Sequence, residues 1–151
     1  MKIVVAGMVA DVPGQGGASW AVLQYVLGLR RLGHEVVLIE PVRSLARSAS
    51  YFRRLARTFA LDAILLERDS DRRIELTRRQ PDGADLLLNL SGVLSEPIAA
   101  DLSVYVDLDP GFTQAWHAQG IDMRFDRHDR FVTVGRSIGQ TTCPIPDCDR
   151  T

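Results

Sequence analysis

A glycine-rich loop carries the clearest chemical signal in this sequence. It spans Val12–Trp20, and the residues in it best suited to contact a ligand are Gly14, Gly16, Gly17 and Ser19. Glycines let the backbone approach a ligand closely, and N–H groups at the start of a helix favour an anion. The loop is therefore predicted to bind a phosphate or another anionic group.

The spacing of the glycines argues against two common phosphate-binding motifs. Gly7, Gly14, Gly16 and Gly17 do not form a tight G-x-G-x-x-G directly after a strand, and G-x-x-x-x-G-K-[ST] is absent. A nicotinamide dinucleotide site and a P-loop both fit poorly, so no cofactor is predicted. Glu40 ends the second predicted strand and could hold a ribose, which keeps a nucleotide-dependent enzyme as an alternative.

Two acids, Asp107 and Asp109, lie at the end of another predicted strand, where ligands bind in open α/β sheets. Either carboxylate could bind a substrate or act as a general base. Two acids at this spacing could also chelate a divalent cation. Alternatively, Asp109 could cap a helix that begins at Pro110. Metal binding is the least favoured of these readings, so no metal site is predicted.

Two histidines are further candidates for proton transfer, since the pKa of histidine lies near working pH. His117 lies in a predicted helix, and His128 lies in the charged run 124–130, where Asp126 or Asp129 could orient it. Such a run is also typical of a solvated loop. All four residues, Asp107, Asp109, His117 and His128, are kept as catalytic candidates.

Alternating strands and helices must position these residues. Strands are predicted at Lys2–Ala6, Glu35–Ile39, Ala84–Leu90, Ser103–Leu108 and Phe131–Val134, and helices at Ser19–Leu32, from Pro41 to about Phe59, and at Phe112–Gln119. Residues 63–66 suit a strand or a helix end, residues 68–79 a solvated segment with a short helix, and residues 95–100 a connector with some helix. This order predicts an α/β fold: one Rossmann-like, doubly wound, mainly parallel sheet with helices on both faces. The domain is expected over residues 1–140, followed by an irregular tail at 141–151.

Residues 1–40 resemble the N-terminal, acceptor-side domain of a GT-B glycosyltransferase, of the retaining family 4 type. The Gly16-Gly17 pair opens the first long helix after a stretched loop, as in that superfamily. Leu29-Arg-Arg-Leu-Gly-His-Glu-Val36 is similar to its L-x-x-x-G-H-E-V signature, which joins this helix to the next strand. Beyond residue 40 the resemblance is one of element order.

The resemblance implies transfer of a hexosyl group from a nucleoside diphosphate sugar to an acceptor. Gly16 and Gly17 would face the diphosphate, and the catalytic candidates would handle the acceptor. It also implies a C-terminal donor-binding domain or a separate donor-binding subunit, so the chain by itself is expected to be inactive, because catalysis requires both reactants to be held together. The donor sugar, the acceptor and the stereochemical outcome stay open. The alternative is a stand-alone flavodoxin- or Rossmann-like domain that binds a nucleotide or anion without transferring sugar.

Composition sets the remaining expectations. A formal net charge of -1 gives no reason to expect nucleic-acid binding. No stretch has the length of a transmembrane helix or a signal peptide, so no stable membrane insertion and a cytoplasmic location are expected. Cys143 and Cys148 are too few for a disulfide-built fold and lack zinc-finger spacing. Self-association is expected if the apolar part of the cleft is exposed.

Overall fold

A computed structural model describes residues 1–96 and 98–148 of the chain. Within them lies one sheet of seven strands: β1 (Lys2–Ala6), β2 (Glu35–Val42), β3 (Asp62–Glu67), β4 (Arg73–Glu75), β5 (Ala84–Leu90), β6 (Ala100–Asp107) and β7 (Arg130–Thr133). The strand order is β4-β3-β2-β1-β5-β6-β7. Among the strands of the described residues, only the β3–β4 pair is antiparallel. The predicted fold class, a Rossmann-like and mainly parallel α/β domain, is confirmed.

Three α-helices accompany the sheet in the described residues: α1 (Gly16–Arg31), α2 (Leu45–Thr58) and α3 (Pro110–Ala118). Side chains alternate along each strand, so the sheet has two apolar faces. On the first face, Ile3, Leu38 and Leu65 form one core with the inner sides of α1 and α2. On the second face, Val4 and Ile39 form a separate core beneath Val93, Leu94 and Ile98.

The second face of β6 carries an aromatic cluster centred on Tyr105, which is fully buried. Its ring contacts those of Phe125, His128 and Phe131, with centroids 4.9 to 5.5 Å apart. The ring of His117, in α3, packs on the outer side of the Phe125 ring, with centroids 4.7 Å apart. Helix α3 and the 3-10 turn Phe125–Arg127 therefore cover this part of the second face.

The strand order changes direction at β1, which lies between β2 and β5. The connection after β1 leads into α1 on the first face, whereas the connection after β5 packs on the second face. Where two connections leave a sheet on opposite faces, a crevice opens at the carboxyl ends of the strands. The switch point between β1 and β5 is therefore the place where a ligand is expected.

The prediction that Pro41 opens a helix was wrong. Pro41 lies inside β2, opposite Leu66 of β3, and α2 begins only at Leu45. The ladder between β1 and β2 ends at Ile39, so the missing N–H of Pro41 costs no bond to β1.

Smaller corrections concern the connectors and element ends. Helix α1 begins three residues before the predicted Ser19, at Gly16. The ambiguous run 63–66 is strand β3, and the charged stretch after it contains strand β4 rather than a helix. Residues 91–96 and 98–99 contain no helix. No helix in the described residues is both long and apolar enough to cross a membrane.

Gly7 and Gly28 give a matched test of the packing between β1 and α1. A Cβ at Gly7 would lie 2.7 and 2.8 Å from the two methyl carbons of Val22, whereas a Cβ at Gly28 would meet nothing within 4 Å. We expect Gly7→Ala to lower the free energy of unfolding by about 1–3 kcal/mol, because α1 must move outward. Gly28→Ala should raise it by about 0.5–1 kcal/mol, since alanine suits a helix interior better. Urea denaturation followed by circular dichroism measures both, and equal stability of Gly7→Ala and the wild type would contradict this account of the packing.

Candidate functional site

The loop after β1 is held from below by the carboxylate of Glu40, a fully buried residue of β2. Its Oε1 accepts the N–H groups of Ala10 at 2.8 Å and Asp11 at 2.7 Å, and its Oε2 accepts that of Ala10 at 2.9 Å. Burial raises the pKa of Glu40 to about 7, although the backbone hydrogen bonds act in the opposite direction. Both oxygens are occupied inside the protein, so Glu40 is not available to hold a ribose.

Two further polar side chains fix the same loop. Asp11 accepts the backbone N–H of Arg43 at 2.9 Å and pairs with the Arg43 Nε at 3.1 Å. Ser19 is buried, and its hydroxyl donates to the carbonyl of Val9 at 2.8 Å. Ser19 therefore lies beneath the loop and ties it to α1, rather than at the surface that a ligand would meet.

The three glycines of the loop lie at the surface. Gly14, Gly16 and Gly17 are exposed, and a Cβ at any of them would meet no atom within 4 Å. Gly14 has a φ of +92°, which glycine adopts without strain. The N–H groups of Gly17 and Ala18, in the first turn of α1, make no hydrogen bond to other described residues. The N terminus of α1 is thus open at the carboxyl edge of the sheet.

Asp107 is fully buried at the end of β6. Its Oδ1 accepts the N–H of Asp109 at 3.1 Å, and its Oδ2 lies 3.4 Å from Gln114 Nε2 and 3.3 Å from Thr133 Oγ1. The carboxylate therefore shapes the turn into α3 and joins it to β7. It has no open path to a substrate, unlike Asp109.

Asp109 is the exposed carboxylate of the pair. It occupies the N-cap position of α3, and its side chain makes no capping hydrogen bond. Phe112 and Trp116 follow at helical spacing, 58% and 44% exposed, with ring centroids 5.5 Å apart. The first turns of α3 thus combine an open carboxylate with a pair of exposed aromatic rings. Within residues 1–96 and 98–148, no group of three or more His, Cys, Asp or Glu side chains could hold a metal ion.

His128 is buried, and both of its ring nitrogens are engaged. Its Nε2 lies 3.0 Å from Asn89 Nδ2, and its Nδ1 lies 3.1 Å from the carbonyl oxygen of Arg124. The amide nitrogen can only donate and the carbonyl can only accept, so the ring is the neutral tautomer with its proton on Nδ1. Burial lowers the pKa of His128, which agrees with a neutral ring. In this arrangement His128 positions Arg124 and has no nitrogen free to take a proton.

The other residues around the histidines have different partners. The Nδ1 atom of His117 is buried and unbonded among the described residues. Asp129 accepts the N–H and the hydroxyl of Ser103, at 2.7 and 2.6 Å, and these bonds lower its pKa. Asp129 therefore fastens β7 to β6 and does not hydrogen-bond to His128. Cys143 and Cys148 form no disulfide, and they lie in a segment without helix or strand up to residue 148. The Sγ of Cys148 donates to the carbonyl of Gln114 at 3.5 Å.

Sequence reasoning missed Asn89, which connects the walls of a cavity on the second face. Its Oδ1 accepts the N–H of Leu94 at 3.1 Å, and its Nδ2 donates both to the carbonyl of Leu94 at 3.1 Å and to His128. The cavity has a volume of about 770 Å³ and lies at the carboxyl ends of β2 and β3. The available signal was one amide in the otherwise apolar stretch of β5, because a buried amide needs several partners.

The pH dependence of stability tests the role of Glu40. The folded protein keeps the Glu40 proton up to about pH 7, whereas an unfolded glutamate loses it near 4.5. The folded state thus binds more protons between these values, so the wild type should lose stability relative to Glu40→Gln as the pH rises from about 4.5 to about 7. Urea denaturation of both proteins across this range measures the difference. Glu35→Gln, which removes an exposed carboxylate from the same strand, is the control, and a constant difference between wild type and Glu40→Gln would contradict the prediction.

Comparisons with protein-family models, with curated proteins and with solved structures found no match for this chain. What the site can do is therefore argued from its own geometry. That geometry comprises an open helix N terminus at the switch point, an exposed carboxylate beside two aromatic rings, and a cavity on the second face.

Proposed function

We propose that this chain is the acceptor-side half of a GT-B glycosyltransferase, which transfers a hexosyl group from a nucleoside diphosphate sugar to an acceptor. The observation that carries the proposal is the open N terminus of α1 at the switch point of the sheet. Glu40 already binds the N–H groups of Ala10 and Asp11, so these two groups are not available to a ligand. The first turn of α1 remains for an external anion.

The diphosphate of the donor is the group that suits this helix terminus. The N–H groups of Gly17 and Ala18 have no partner among the described residues, and the helix dipole adds positive potential there. Three exposed glycines without side chains let a bulky diphosphate approach the backbone. This is the contact that the sequence resemblance assigns to Gly16 and Gly17.

The start of α3 suits a sugar-like acceptor. Phe112 and Trp116 offer flat apolar surface, against which the C–H face of a pyranose ring can pack. Asp109 lies at the N-terminal end of the same helix and can accept a hydrogen bond from an acceptor hydroxyl, taking its proton during transfer. Asp107 holds this turn in shape from within.

The sugar and base of the donor need a second domain or subunit in this class of enzyme. The described residues form one Rossmann-like unit, so the proposal includes a partner unit that completes the cleft, and it places the reaction in the cytoplasm. Transfer should therefore require that unit, because the rate depends on both reactants being held together.

A charge placed at the first turn of α1 tests the diphosphate contact. We expect Gly17→Asp to keep the fold, since an acid at a helix N terminus is favourable, yet to raise the KM for the nucleoside diphosphate sugar by at least about tenfold through repulsion. Gln24→Glu, an exposed position two turns further along α1, adds the same charge as a control and should leave KM within about twofold. The assay is release of nucleoside diphosphate by the native gene product, isolated at its natural length with any copurifying subunit.

Two results would overturn the proposal. One is the absence of acceptor-dependent sugar transfer by the native product over a full panel of nucleoside diphosphate sugars. The other is an equal effect of Gly17→Asp and Gln24→Glu on KM. Nucleotide binding without sugar consumption would favour a stand-alone anion-binding domain instead.

Replacement of Asp109 tests the acceptor side. Asp109→Asn keeps a good N-cap residue but removes the proton acceptor, so the kcat for transfer should fall on the order of 100-fold or more. Asp101→Asn removes an exposed carboxylate from β6 and should leave kcat unchanged. Mass spectrometry of the glycosylated acceptor measures both rates, and an undiminished kcat in Asp109→Asn would exclude this role.

A further inference from the structure

The cavity on the second face lies between two loops at the carboxyl edge of the sheet. One wall is the β3–β4 hairpin, residues 67–73, and the other is Val93, Leu94 and Ser95 after β5. Arg124 reaches the cavity from the segment between α3 and β7. A volume of about 770 Å³ lies within the usual range for small-molecule sites.

Two of the four arginines that line the cavity lack an acidic partner among the described residues. Arg72 pairs with Glu67 at 2.9 Å, and Arg73 pairs with Glu75 at 2.8 Å. Among the described residues, the side chain of Arg68 donates only to the carbonyl of Pro41, from Nε at 3.3 Å, so the outer nitrogens of its guanidinium are unused. Arg124 makes no side-chain hydrogen bond or ion pair to the described residues.

Arg124 also has an unusual backbone conformation. Its φ of +61° and ψ of 29° put it in the left-handed region, which is strained for a residue other than glycine. The chain of hydrogen bonds from Asn89 through His128 ends on its carbonyl oxygen. The same Asn89 anchors Leu94 in the opposite wall. One buried amide thus fixes both the backbone of Arg124 and the wall that faces it.

We infer that this cavity binds an anionic group, a phosphate or a carboxylate, held by the guanidinium groups of Arg68 and Arg124. Planar guanidinium forks suit both of these anions, and the fixed backbone of Arg124 keeps its side chain at the cavity. We further infer that the bound anionic group is part of the acceptor, so that the acceptor is an anionic molecule. This second inference rests on the proposed glycosyltransferase function.

The acids near the cavity do not cancel this attraction. Both oxygens of Glu67 are used, one by the N–H of Leu45 at 3.1 Å and the other by Arg72. Asp69 and Asp71 are exposed at the tip of the hairpin, where solvent screens their charge. They are placed to accept hydrogen bonds from hydroxyl groups of a ligand whose anionic end lies on the arginines.

Titration of the ¹⁵N-labelled chain with inorganic phosphate, at constant ionic strength, tests the site without any donor sugar. The backbone signals of Leu94, Ser95 and Arg124 should shift and saturate. Arg68→Gln and Arg124→Gln should each weaken binding by at least about tenfold, and Arg78→Gln, an exposed arginine outside the cavity, by no more than about twofold. Arg124→Gly relieves the positive φ and should lose binding without loss of stability, which separates the anion contact from a folding defect.

Further measurements distinguish anion binding in the cavity from binding at the N terminus of α1 and from sugar transfer. The shifts of Leu94 and Arg124 should persist in Gly17→Asp. A parallel titration with glucuronate distinguishes a carboxylate from a phosphate, and saturation by either supports the inference. Failure of both anions to give saturable shifts, or equal weakening by Arg78→Gln, would overturn it even if sugar transfer occurs. Binding in a protein that transfers no sugar would keep the site and reject only the anionic acceptor.

Discussion

The buried carboxylate of Glu40 is the interaction on which the geometry of the sheet edge depends. It accepts hydrogen bonds from two N–H groups of the loop after β1, and this loop leads to the N terminus of α1. Burial of a carboxyl group without hydrogen-bond partners would cost roughly several kcal/mol of folding free energy. The loop and the acid therefore stabilise each other. Asp11 extends the arrangement to Arg43, just before α2, and Ser19 extends it to α1. The first residues of the loop are thus positioned by the chain's own side chains.

A second polar centre organises the opposite face. Asn89 uses its whole side chain to bind Leu94 and His128, and His128 in turn fixes the carbonyl of Arg124. Buried networks of this kind are costly when incomplete and rigid when satisfied. The two centres lie on the two faces of the sheet, near its switch point. Each therefore holds one side of the crevice independently of the other.

The sequence was most informative where local pattern decides the structure. The apolar runs of β1 and β5 predict both strands to the residue, because each largely apolar run stands out from the turn-forming residues beside it. The prediction for Pro41 was wrong because a proline can begin a helix or lie near the end of a strand, and only the pairing with β3 decides between them.

The site was harder to predict because it also depends on contacts between residues far apart in the sequence. Glu40 meets Ala10 across 30 residues, and Asn89 meets His128 across 39, so no spacing in the sequence reveals either contact. Asp107 and His128 were recognised as polar residues near the edge, but their burial and their partners follow from tertiary packing alone.

The two edge strands of the sheet, β4 and β7, differ in how readily another strand can pair with them. Strand β4 is three residues long, runs antiparallel to β3, and carries the ion pair between Arg73 and Glu75. A short, charged border of this kind discourages another strand from pairing with it. At the other border, β7 carries Val132, which is half exposed, and Val134 directly follows it with similar exposure. The border at β7 is therefore less protected against pairing with a neighbouring molecule than the border at β4.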